Sequence, residues 1–244
     1  MITAVPLLQK QRALYDIPRG MDRFEAYLDL MANGHPERLP TLPLEGMNPM
    51  AREHVAEHLD QLLALNADGW LENFAAELND RLDPTPDRNI CWVMVDDLKG
   101  GWTTRHLTEA SYRFEQAKYH FEWIPVMVWA SEPITHQNFR IAALGDAFRH
   151  FYKLEHGTPE TLDQMITQEG KALSFSGAEL TMPLEELEYT AEVLKEHLQS
   201  THFPTLFTCL YGDHNAAKVG YPALGLSERA GFEYALAREK GLVS

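Results

Sequence analysis

Apolar residues recur at helical spacing over most of the chain, and at three places a short uninterrupted apolar run breaks that rhythm. Within residues 1–48, punctuated by Pro6, Pro18, Pro36, Pro40 and Pro43, only Met21 to Met31 carries a helical stripe, through Phe24, Leu28 and Met31. This segment is expected to wrap over a single globular domain formed by residues 49–244. Asn48-Pro49 is a helix-start pair, because the Asn side chain accepts from free N–H groups and a first-turn proline has none to lose. That helix should run to Asn66. Trp70, Leu71, Phe74, Leu78 and Leu82 then mark a second helix, closed by Asp83-Pro84-Thr85-Pro86, so that the two form a hairpin.

The first apolar run, Ile90 to Val95, is bounded by polar residues and suits a strand buried on both faces. It leads into the polar loop Asp96 to Thr103, a helix between Thr108 and Glu122, and a second run, Trp123 to Ala130, whose Pro125 argues for a sheet edge or for pairing only beyond the proline. Helices are expected from Pro133 to Glu155, from Thr158-Pro159 to Gly170 and from Pro183 to Ser200. The third run, Thr205 to Tyr211, reads as another strand, followed by Gly212-Asp213-His214. Ser227 caps a last helix that Gly241 stops. Strands separated by helices imply crossover connections. The expected fold is therefore α/β or α+β and mainly helical, with a small, about three-stranded and partly parallel buried sheet covered by helices.

Composition narrows the function classes. Thirty-six acidic against 21 basic residues leave a net charge of −15, which repels phosphate backbones and anionic headgroups, so no nucleic-acid role is expected. The longest apolar run, eight residues from Trp123 to Ala130, is far short of the roughly 20 needed to cross a bilayer. A soluble cytoplasmic protein is the expectation. Cys91 and Cys209 each sit inside an apolar run and read as reduced core residues. Glycine-rich nucleotide-binding loops, the G-x-S-x-G elbow and C-x-x-C are lacking.

Two places could carry chemistry. His54-Val55-Ala56-Glu57-His58 fits H-x-x-E-H, the pattern of inverted zinc proteases, in which histidines four apart on a helix share a metal and the glutamate acts on its water. A divalent metal is thus the one cofactor the sequence suggests. The strand-rich surroundings and downstream glutamate used by those proteases have no visible counterpart here, and boundary residues of an amphipathic helix read the same way. The second place is the set of polar strand ends, since ligands of parallel sheets bind at the carboxyl ends of their strands. After Val95 come Asp96, Asp97, Trp102, Arg105 and His106; after Tyr211 come Asp213, His214 and Lys218. Paired across adjacent loops, Asp96 or Asp97 would orient His214 or His106 as general base, with Trp102 as an apolar wall and Arg105 or Lys218 binding an anionic group. Ordinary turn chemistry accounts for the same residues.

The expectation is thus a hydrolase-like enzyme with a polar pocket near Asp96 and His214, acting on a small-molecule substrate. The alternatives are a non-catalytic module that binds a protein partner, and a zinc-dependent hydrolase built on His54, Glu57 and His58.

Overall fold

The structure, a computed structural model, describes residues 1–32, 42–98, 104–115 and 122–243. In chain order the elements are β1 (Ile2–Ala4), α1 (Leu8–Leu14), α2 (Met21–Met31), α3 (Glu53–Ala64), α4 (Ala67–Arg81), β2 (Arg88–Val95), α5 (Arg105–Phe114), β3 (Trp123–Trp129), α6 (His136–His156), α7 (Leu162–Ser176), α8 (Leu184–Lys195), α9 (Phe203–Tyr211), α10 (Asp213–Lys218) and α11 (Ala230–Glu239). They form a mainly helical α/β fold with a three-stranded parallel sheet. The chain divides into two compact units, Met1–Arg105 with Ala117–Ala147 and His106–Gln116 with Phe148–Ser244. Among the described residues no helix is long and apolar enough to cross a membrane.

In the first unit the strand order is β1-β2-β3, with Ile2 opposite Arg88 and Val95 opposite Trp129. Central β2 is buried on both faces, which is why its sequence is continuously apolar rather than alternating. Its odd residues Cys91, Val93 and Val95 pack with Leu7, Leu14, Leu44 and Met47, while Trp92 packs edge-on against Phe74 of α4 and Phe139 of α6. As expected, Pro125 lies on an edge strand, where its missing N–H disrupts no internal ladder.

Strand β1 escapes the sequence pattern because it has only three residues; its backbone is clamped by Asn79 of α4, which accepts from the Ile2 amide and donates to the Ile2 carbonyl. Past Val5, whose amide donates to the Ile90 carbonyl, the edge of β2 would be left without partners. The buried side chain of Gln11 takes over there, donating to the Trp92 carbonyl at 2.8 Å and accepting from the Met94 amide at 2.9 Å. Asn48 caps a turn rather than a helix, accepting from the Met50 amide, and α3 starts later, at Glu53.

The second unit corrects the expected third strand, since Phe203–Tyr211 is helix α9. This segment is apolar all round and fully packed from Leu206 to Tyr211, so the absence of a polar face hides its helical period. Pro204 in its first turn and Gly212 after its end were the available helix signals. Gly212 sits at φ 81°, and a Cβ there would lie 2.1 Å from the Ser227 carbonyl oxygen. Nor does Gly170 end a helix as expected. It lies inside α7, where a Cβ would come within 2.4 Å of the Ala235 carbonyl oxygen of α11, so the glycine permits a close helix crossing. The true start of α7 is a capping box between Thr161 and Gln164.

A charged cluster is sealed inside this unit. Fully buried Glu169 of α7 accepts from both Nε and Nη2 of Arg149 and from Nη1 of Arg113, each at 2.7 Å. Burial alone would raise this carboxyl, but Arg149 and Arg113 bring it down to about 2. Both cysteines are free and buried, and burial raises their thiols, Cys209 to about 12.

Candidate functional site

The carboxyl end of β2 joins the two sequence candidates into one. Asp96, directly after the strand and fully buried, accepts from His54 Nε2 at 2.9 Å and from the Leu98 amide at 3.1 Å. His54 stands in the first turn of α3. This helix packs by Val55, Leu59 and Leu62, so His54 and His58, bordering that stripe one turn apart, flank its buried face. The His54 side chain is 18% exposed, so the ring is oriented from below and reachable from outside.

His58 Nε2 is buried and has no hydrogen-bond partner among the described residues. Burial lowers the pKa of this imidazole, His54 lowers it further, and the Asp97 carboxylate opposes both. Tyr15, just after α1, donates to the Asn48 carbonyl with Arg23 over its ring; burial raises its phenol, the Arg23 charge opposes this, and Asp96 adds to the rise.

Asp97 ties the end of β2 to the end of β3. Its Oδ1 accepts from the Ser131 amide at 3.0 Å and its Oδ2 from the Ser131 hydroxyl at 2.6 Å. Arg105 donates by Nη1 to Ser131 Oγ at 2.8 Å, lies 3.5 Å from Asp97, and pairs by Nη2 with Glu132; its guanidinium carbon lies 5.2 Å from the centre of the Trp129 ring. Ser131 and Glu132 were not singled out from the sequence, although they follow the second apolar run as Asp96 and Asp97 follow the first. Trp102 lies outside the described residues.

The remaining candidates belong to the second unit. Asp213 commits both carboxylate oxygens to backbone amides, Leu224 and Gly225, each at 2.8 Å, and so closes the turn after α10. His214 is exposed, and Lys218 donates to Asn215 Oδ1 at 3.0 Å. His106 contacts Glu109 at 3.3 Å and leans on the Tyr211 ring. Because α9 is not a strand, the argument that placed His214 at a strand end beside Asp96 loses its premise. The imidazole that Asp96 holds is His54.

Glu57 is exposed, and among the described residues no three His, Cys, Asp or Glu side chains converge in a manner that would hold a metal ion. The second unit carries a groove of about 900 Å³ whose lining includes Ala191, Leu198, Tyr234 and the Asp163–Arg238 ion pair.

No family model, no curated protein and no solved structure matches this chain.

Proposed function

We propose that the chain is a hydrolase-type enzyme in which His54 is the general base and Asp96 its positioning residue. The observation that carries this reading is the 2.9 Å bond from His54 Nε2 to buried Asp96 at the carboxyl end of a central parallel strand. With Nε2–H donated to the carboxylate, the lone pair sits on Nδ1, which takes a proton from water as that water adds to the carbonyl carbon of an ester or amide and returns it to the alkoxide or amine that leaves as the acyl bond breaks. Asp96 is itself held by the Leu98 amide, so the ring is fixed before substrate arrives.

The test is hydrolysis of a panel of p-nitrophenyl esters and p-nitroanilides by wild type, His54→Gln and Asp96→Asn. His54→Gln should lower kcat by about 10²–10⁴-fold, the range of a lost general base. Asp96→Asn keeps the shape but favours the wrong tautomer, and should lower kcat more than it changes KM. Turnover that survives His54→Gln sinks the proposal. A second reading, a binding module using the groove beside Tyr234, is supported by the size of that groove, which suits a small ligand. It ranks behind because no imidazole lines the groove, and it expects His54→Gln to be silent.

A further inference from the structure

We infer that the groove between α8 and α11 binds short apolar peptides with free termini, taking the ammonium at Glu188 and the carboxylate at Arg238. This rests on the groove being a ligand site, the second reading above, and holds whether or not His54 is catalytic. Two helix faces build the groove. Helix α8 buries Leu187, Thr190 and Leu194, which leaves Glu188, Ala191, Glu192 and Lys195, spaced i, i+3, i+4 and i+7, to line it. From α11 come Tyr234 and Arg238, about one turn apart, and Leu198 and Leu242 come from the segments that follow the two helices.

The charges along the groove pair in a way that leaves two groups uncommitted. Arg238 Nη1 donates to Asp163 at 2.7 Å, and Lys195 stands 4.0 Å from Glu192, so Glu188 is the carboxylate left over, exposed and without a partner among the described residues. Arg238 is itself only partly used. The Nε and Nη2 edge of its guanidinium, which suits a carboxylate through two parallel bonds, carries no bond among the described residues, and the side chain is 36% exposed. A plain anion would enter against Asp163, Glu188 and Glu192, and a plain cation against Lys195 and Arg238. A molecule with both an ammonium and a carboxylate meets Glu188 and Arg238 without either penalty. Its body must be apolar to cover Ala191, Leu198 and Leu242, the last of them 55% exposed. The volume of about 900 Å³ is near the top of the range for ligand pockets, about 300–1,000 Å³, and asks for more than a single amino acid.

The experiment follows the methyl resonances of Ala191 and Leu242 by NMR during titration with the tripeptide Leu-Ala-Leu, its N-acetyl form and its C-terminal amide at constant ionic strength. The free tripeptide should half-saturate at a concentration at least about threefold below that of either blocked form, the size expected when one partly exposed charged contact is lost. Glu188→Gln should weaken the free tripeptide by about threefold and leave the N-acetyl form unchanged. Arg238→Lys keeps the charge but loses the two-pronged edge, so it should weaken the free tripeptide by a similar factor and leave the amide unchanged. Blocked forms that bind as tightly as the free one, or a free tripeptide indifferent to both substitutions, would overturn the inference while leaving the groove a ligand site. Shifts at neither residue with any of the three peptides would refute the groove reading itself, and the inference with it.

Discussion

Replacing Glu169 by Gln tests the energetics of the second unit most directly. The carboxylate is fully buried, and its charge is tolerated because Arg149 grips both oxygens and Arg113 one of them. Its pKa falls from the ordinary 4.5 to about 2 in the folded protein. At about 1.36 kcal/mol per pH unit, this gap corresponds to about 3 kcal/mol of stability that the ionised group contributes relative to its protonated form. Breaking a buried pair by removing one partner costs about 3–5 kcal/mol, a similar figure, because the arginines stay buried without their counter-charge. Since the folded-state pKa is depressed, the contribution is complete above the unfolded value of about 4.5 and is lost as pH falls through about 2. Urea unfolding of wild type and Glu169→Gln at pH 7, 5, 4, 3 and 2.5 measures it. The variant should be less stable by about 3 kcal/mol at pH 7, and the difference should narrow steadily below pH 4.5. A difference that is absent at pH 7, or constant down to pH 2.5, would refute the reasoning.

Asp68 should behave in the opposite sense. Burial raises its carboxyl to about 6 from 3.8 against the opposing Leu8 amide, so the stabilising contribution is present below the unfolded value and lost as pH rises through about 6. Asp68→Asn should unfold at higher urea than wild type at pH 7.5, by about 1–3 kcal/mol, and the advantage should disappear near pH 4. At the α7–α11 crossing, Gly170→Ala places a Cβ 2.4 Å from the Ala235 carbonyl oxygen and should cost about 1–3 kcal/mol, measured by the same denaturation; an unchanged midpoint would show that the two helices separate freely.

How much was legible in the sequence depended on whether a segment has two unlike faces. Helix α3 was visible because Val55, Leu59 and Leu62 contrast with exposed neighbours, and β2 because a six-residue apolar run between polar ends is too short for a typical helix. Helix α9 was not, because a segment buried on every side carries no periodic signal, and β1 was too short to carry one. The failure was consequential. Taking Thr205–Tyr211 as a strand placed His214 at a strand end, whereas the histidine that meets Asp96 comes from the helix already singled out for its H-x-x-E-H spacing.

By itself, then, the sequence determined the local preferences: which segments are buried, and that His54, His58, Asp96 and Asp97 are polar residues at the margins of apolar elements. Only the tertiary structure decided that these margins coincide. A bond from residue 54 to residue 96 depends on how α3 packs against α1 and α4 and on where parallel β2 stops, and neither follows from spacing along the chain. The same holds for Arg105. As a residue type it is an anion binder, but Ser131, Glu132 and Trp129, brought beside it by the pairing of β3 with β2, take up Nη1, Nη2 and the face of its guanidinium. What a charged side chain does is set by the partners that reach it first, and those partners are chosen by the fold.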